Sequence, residues 1–119
     1  MKAVIVFFAA VLVVSCGKSH RDNIVSPTIY QGKVLKSVCG NIAVQLTDGS
    51  TIGQSYWLDP SDSIEYVNVF KVANPCNCGP VAPGATIRFR LVAPSPQNCV
   101  QCLMWVPVPD TAHSIVVVP

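Results

Sequence analysis

The chain has 119 residues, carries 8 Lys+Arg against 6 Asp+Glu for a net charge of +2, and is half hydrophobic by composition. So small a charge, with no basic stripe, excludes nucleic acid as an expected partner, and the length provides for one hydrophobic core rather than two. Ten prolines, 7 glycines and 6 cysteines point away from helix and towards a small, turn-rich fold held by cross-links.

Met1 and Lys2 precede an uncharged apolar run from Ala3 to Val14, which closes in Ser15 and Cys16. A membrane span takes about 20 apolar residues, whereas about 10 to 14 suit the central region of a secretory signal. The ending Val13-Val14-Ser15-Cys16 resembles the bacterial lipobox, with an aliphatic residue, a small residue before the scissile bond and an obligatory cysteine. That resemblance implies removal of residues 1–15, a diacylglycerol on the Cys16 thiol and a membrane partner held through lipid rather than through a spanning helix. Each buried CH₂ of such a lipid adds about 0.8 kcal/mol, and the two or three chains expected on the cysteine give stable anchoring. Gly17 in place of an aspartate after the cysteine resembles sorting to the outer membrane. Residues 16–27, "CGKSHRDNIVSP", mix small, polar and charged residues without apolar periodicity and read as a lipidated tether. His20 within it is read as a solvated linker residue. The remainder, 28–119, is expected to fold as one β-rich domain.

From Thr28 onward the pattern is short strands punctuated by turns. A first strand is expected near 29–38, bent through Gly32. Ile42, Val44 and Leu46 alternate with polar or small residues in "NIAVQLTDGS", and Asp48-Gly49 marks a hairpin turn in which glycine supplies a positive φ. Weaker strands are expected near 51–58 and 67–73. Between them, "DPSDSIEY" carries a capping Asp59, Pro60 and Asp62 in the spacing of a short helical turn. In "PGATIRFRLV" the chain turns at Pro83-Gly84, Ile87, Phe89 and Leu91 share one face, and Arg88 and Arg90 share the other. Further strands are expected near 99–106 and 113–118, with Pro107 and Pro109 confined to an edge or outside the sheet. These elements predict an all-β fold, a small antiparallel barrel or sandwich. The bent first strand, the glycine-punctuated meander and the short helical element suit an OB-like barrel as one form of it.

Beyond Cys16 five cysteines remain, at 39, 76, 78, 99 and 102. Export places them in an oxidising compartment, where two bridges and one spare thiol are the default, worth about 2 to 4 kcal/mol for each bridge that closes a long loop. Were 99–102 extended, Cys99 and Cys102 would point to opposite faces with Cα atoms roughly 10 Å apart, too far to bridge each other. Cys39 and Cys76 are then the expected partners and Cys78 the expected free thiol. An alternative is a zinc site built from Cys76, Cys78, Cys99 and Cys102, although the Cys-x-Cys half departs from the usual spacing. Redox catalysis by "CVQC" would need a helix N-terminus to lower a thiol pKa, and a strand-like "LMWVPV" follows instead.

The elements "CGN" at Cys39–Asn41, "NPCN" at Asn74–Asn77 and "CVQC" at Cys99–Cys102, behind a lipobox, resemble those of small lipoproteins of unknown function common in Bacteroidota. The likeness spans most of residues 30 to 107 and implies no particular activity. No metalloprotease, phosphate-loop or calcium-loop motif occurs, and "GQSYW" at Gly53 to Trp57 lacks the second glycine of a nucleophile elbow. His113 reads as a surface or strand-end residue. No cofactor is expected. Adjacent Tyr56 and Trp57 point to opposite faces of a strand, so at most one of them packs inside. Ligand-contact candidates are therefore Tyr56, Trp57, Arg88 and Arg90. The expected function is that of a non-enzymatic envelope binding or structural accessory domain stabilised by disulfides, its partner an unknown envelope protein or a small ligand, with a periplasmic thiol or zinc-binding protein as the alternative.

Overall fold

The computed structural model describes residues 26–100 and 102–119, and every regular element among them is a strand. The lipobox, Cys16 and His20 lie outside the described residues. The strands are β1 (Tyr30–Val38), β2 (Asn41–Leu46), β3 (Trp57–Asp59), β4 (Ile64–Tyr66), β5 (Val69–Val72), β6 (Thr86–Leu91), β7 (Ala112–His113) and β8 (Ile115–Val118). Six of them form one sheet in the order β7-β5-β2-β1-β6-β8, and β3 pairs with β4 in a separate hairpin. Within the large sheet β5 and β7 run parallel, while the other pairs are antiparallel.

β7 and β8 are consecutive pieces of one segment, interrupted only at Ser114, and they form the two opposite ends of the sheet order. The sheet therefore curls round into a barrel whose last strand touches β5 through its first half and β6 through its second. Asn74 holds this junction: its Nδ2 donates to the Ile115 carbonyl at 2.7 Å, and its Oδ1 accepts from the Ile115 N–H at 2.8 Å. Both groups are buried, so these bonds satisfy backbone that the interrupted ladder leaves open. The resulting order and directions make the barrel OB-like.

Strand alternation fills the barrel. Val34, Ile42, Val44, Leu46, Phe70, Val72, Ile87, Phe89 and Ile115 form the buried core, and Leu91 packs against it half-buried. Phe89 is fully buried with its ring centroid 5.4 Å from Phe70 and 5.7 Å from Tyr30. Gly32 is required by close approach: a Cβ there would stand 2.6 Å from Val44 Cγ1 and 2.8 Å from the Gln45 carbonyl oxygen.

β1 carries one extra residue between Val34, opposite Val44, and Lys36, opposite Ala43. This bulge at Leu35 places Leu35 and Lys36 together on the outer face and so re-aims the lysine. On that face Ala43 and Val69 are covered by Trp57 and Tyr66 of the β3–β4 hairpin, with Leu35 alongside. The rings of Trp57 and Tyr66 are 6.0 Å apart and stacked. The hairpin thus forms a second, smaller apolar layer over β2 and β5.

Two local expectations are corrected. Residues 51–56 form no strand beyond one isolated bridge, Gln54 to Val69, and β2 pairs with β5 instead of with a hairpin partner after Gly49. The cause is Asn68, whose side chain donates to the Ser50 carbonyl and accepts from the Gly53 N–H, taking places a ladder would use. Residues 60–63 form no helix but make the single turn expected there: the Ser63 N–H donates to the Asp59 carbonyl at 2.8 Å, the Asp59 carboxylate caps it by accepting from the Ser61 N–H and hydroxyl at 2.9 and 2.6 Å, and Ser63 ends it at a φ of 58°. The turn closes the β3–β4 hairpin. Finally, the described residues of 99–106 form no strand; Cys99 and Cys102 are each drawn to a different part of the fold.

Candidate functional site

Four of the five described cysteines are joined in two disulfides. Cys39 and Gly40 are the two central residues of the β1–β2 hairpin, with φ of 51° and 79°, the double positive pattern of a type I′ turn. Cys39 bonds Cys102, with Cα atoms 5.2 Å apart, and so ties the β1–β2 turn to the long segment between β6 and β7. A second bridge joins Cys76 to Cys99, with Cα atoms 5.5 Å apart. Around it the Cys76 N–H donates to Gln97 Oε1 at 3.0 Å and Asn77 Nδ2 donates to Ser95 Oγ at 3.0 Å. Residues 74–79 and 95–99 are thereby sewn together by side-chain bonds in the absence of a ladder.

Cys78 is free and fully buried. Its Sγ sits 3.3 Å from the Gly79 carbonyl oxygen and 3.7 Å from that of Pro75, in the position of an S–H donor. Burial pushes this thiol above its ordinary pKa. That is opposite to what a nucleophilic or metal-binding thiolate needs. With Cys76 and Cys99 joined to each other and Cys102 joined to Cys39, the four thiolates of the zinc alternative are not assembled, and no group of three or more potential metal ligands gathers among the described residues.

Between and beyond the two bridges the chain projects outward. Val100 and Leu103 are fully exposed, Trp105 is 78% exposed and Met104 58%. Leu91 to Pro109 contains no charged residue. Exposed apolar side chains occur singly on most surfaces, but four in so short a stretch form a patch. The foot of this loop is fixed: Lys36 Nζ donates to the Pro107 carbonyl at 2.8 Å, Pro109 is buried, and Gln54 Oε1 accepts from the Asp110 N–H at 3.0 Å. The sequence carried the signal for this patch in its uncharged run, but the expected strand assigned those side chains to alternating faces.

The ligand-contact candidates fall in two places. Trp57 is buried under the hairpin, while Tyr56 is half exposed and donates its hydroxyl to Glu65 Oε1 at 2.9 Å, a bond that raises the phenol pKa. Arg88 and Arg90 project from β6, on the other side of β1 from the strands the hairpin covers. Arg88 is exposed and donates to the Pro119 carbonyl at 3.1 Å; Arg90 is half-buried with its Nε unpartnered. Tyr56 and Trp57 on one side and the two arginines on the other do not form one site.

A cavity of about 310 Å³ opens where the barrel closes, lined by Ala73, Leu91, Val92, Pro94, His113 and Ser114 among others. Its size is at the lower end for a small-molecule site. His113 Nε2 lies 2.6 Å from the Ile52 carbonyl, which only accepts, so this nitrogen carries the proton. The ring also meets Phe70 edge-on at 5.3 Å. The imidazole is thus a packed strand residue, and no carboxylate, thiol or cation lines the cavity. Comparison with protein-family models, curated proteins and solved structures gives no match to this chain.

Proposed function

We propose that the chain is an exported lipoprotein acylated on Cys16, whose OB-like barrel acts as a non-enzymatic binding or structural accessory in the cell envelope. Two disulfides fix the barrel, which accords with an oxidising compartment. The observation that carries the binding role is the stapled loop: an uncharged segment with four exposed apolar side chains, held by Cys99 and Cys102 to two different parts of the domain. Its position supports this reading by fold analogy, since OB barrels use the loops after their first and fourth strands for recognition. Here those are the β1–β2 turn and the segment between β6 and β7, joined by Cys39–Cys102. Chemistry favours binding over catalysis, because the one buried thiol is held protonated and His113 is engaged by backbone. The partner is an envelope surface, protein or small ligand, and the anchor directs the protein to the outer membrane.

Metabolic labelling with a fatty acid, combined with counting alkylatable thiols in the unreduced protein, tests this reading. Label on the wild type that disappears in Cys16→Ser, with a single thiol accessible only after denaturation, supports it. Four alkylatable thiols with bound zinc would establish the thiol or metal alternative in its place.

A further inference from the structure

We infer that the loop bearing Val100, Leu103, Met104 and Trp105 inserts these side chains into the headgroup region of the bilayer to which the chain is anchored, laying the barrel on the membrane in one orientation. This inference rests on the lipoprotein reading given above.

Three observations carry it. First, the apolar side chains cannot withdraw into the domain. Cys99 is bonded to Cys76 and Cys102 to Cys39, so the base of the loop is pinned on both sides, and Lys36 and buried Pro109 hold the following residues. Val100, Leu103 and Trp105 remain almost wholly open to solvent as a consequence. Second, the segment from Leu91 to Pro109 bears no charge, so contact with hydrocarbon requires no ion to be desolvated, and an indole is the side chain best suited to the boundary between headgroups and acyl chains. The loop belongs to no strand, and its peptide groups need water or headgroup partners, so the side chains enter and the backbone stays at the interface.

Third, the tether reaches. Residues 16 to 30 of an extended chain span roughly 45 to 50 Å at about 3.3 to 3.6 Å each. β1 runs from Tyr30, where the tether enters, to Val38, beside the Cys39–Cys102 bridge, a distance of at most about 30 Å for its nine residues. An anchor on Cys16 therefore allows the loop at the far end of β1 to meet the same bilayer with the barrel on its side. Holding the loop within reach of the surface raises its effective concentration there, so four side chains suffice where they would not in solution.

The test is tryptophan fluorescence of the processed, full chain reconstituted in phosphatidylcholine vesicles with brominated acyl chains. Trp57 is packed against Ala43 and Val69, and Trp105 is the exposed indole. Brominated lipid is expected to quench the Trp105 component, leaving only emission that Trp105→Phe also retains, and the quenching should not change with salt or with anionic lipid. A second variant, Leu103→Asp with Val100→Asp, should still float with the vesicles but return Trp105 to the reach of aqueous iodide. Emission untouched by brominated lipid and open to iodide overturns the inference. So does protection from both quenchers that grows with protein density, which assigns the loop to a second copy or another protein. Flotation separates this from failure of the anchor. A chain that does not float falsifies the lipidation reading; coupling Cys16 of that chain to a maleimide lipid in the same vesicles then restores the tether, and brominated-lipid quenching of Trp105 upholds the loop's insertion while its absence overturns it.

Discussion

Lys36 Nζ lies 2.9 Å from Asp59 Oδ2, and this single ion pair joins three separate parts of the chain. The lysine stands just after the β1 bulge, the aspartate ends β3, and the same ammonium donates to the Pro107 carbonyl and sits 5.4 Å above the Trp57 ring. Both side chains are largely shielded, at 14% and 4% exposure. Screening is weak at such a site, and each charge depends on the other for compensation.

Removing one partner should therefore be costly. Lys36→Met is expected to destabilise the fold by about 3 kcal/mol, since it leaves the Asp59 carboxylate shielded and without its cation. Pairing it with Asp59→Leu should recover a large part of the loss. Urea denaturation of the single and double variants measures the coupling, and additive losses would show that the pair contributes little as a pair.

The same carboxylate predicts an acid limit. Burial works against ionised Asp59, but the Ser61 hydroxyl, the Lys36 ammonium and the Ser61 N–H together outweigh it and hold its pKa below the ordinary value. A carboxylate whose folded pKa is depressed binds fewer protons folded than unfolded, so its contribution is complete above the unfolded pKa of about 3.9 and declines as pH falls through the lower folded value. Asp48, stabilised by Ser50 and the Gln31 N–H against its own smaller burial, adds in the same direction. Stability should be flat from neutrality down to about pH 5 and fall below about pH 4, and Asp59→Asn should flatten part of that fall.

Alternation made the barrel strands legible, because a residue that faces a core must recur every second position. Ile42, Val44 and Leu46, and Ile87 and Phe89, all lie in the core as their spacing required. What stayed hidden was decided by side chains acting on backbone. Asn68 takes the polar groups of Ser50 and Gly53, and the bulge at Leu35 turns Lys36 outward with no mark in the local pattern. The loop after Cys99 failed for a related reason: "CVQCLMWV" has the composition of a strand, but its two cysteines bond to different elements.

Two substitutions one residue apart on β6 test the barrel itself. Phe89→Ala empties a fully buried site between Phe70 and Tyr30 and should cost about 3 to 5 kcal/mol. Arg88→Ala, on the exposed outer face, should cost well under about 1 kcal/mol. Equal effects in thermal or urea unfolding would mean that the two faces have been assigned wrongly.

The two bridges should differ in what they hold. Cys39–Cys102 spans 63 residues and Cys76–Cys99 spans 23, so each is expected to stabilise by about 2 to 4 kcal/mol, the longer one somewhat more because it removes more freedom from the unfolded chain. Their local consequences diverge further. Cys76–Cys99 is backed by the bonds of Gln97 and Asn77, so Cys99→Ser with Cys76→Ser should leave residues 74–79 near their place. Cys39–Cys102 has no such backing on the Cys102 side, and Cys39→Ser with Cys102→Ser should free the exposed loop while β1 and β2 stay paired. Hydrogen exchange reads this directly: protection should be retained at Val34 and Val44 while backbone near Met104 opens further to solvent. Non-reducing peptide mapping of the wild type must first recover 39–102 and 76–99 linked fragments, with Cys78 alkylated only after unfolding because it is buried. A fragment bridged internally between Cys99 and Cys102 would refute this connectivity, detach the loop from the β1–β2 turn and remove the rigidity on which its exposed side chains depend.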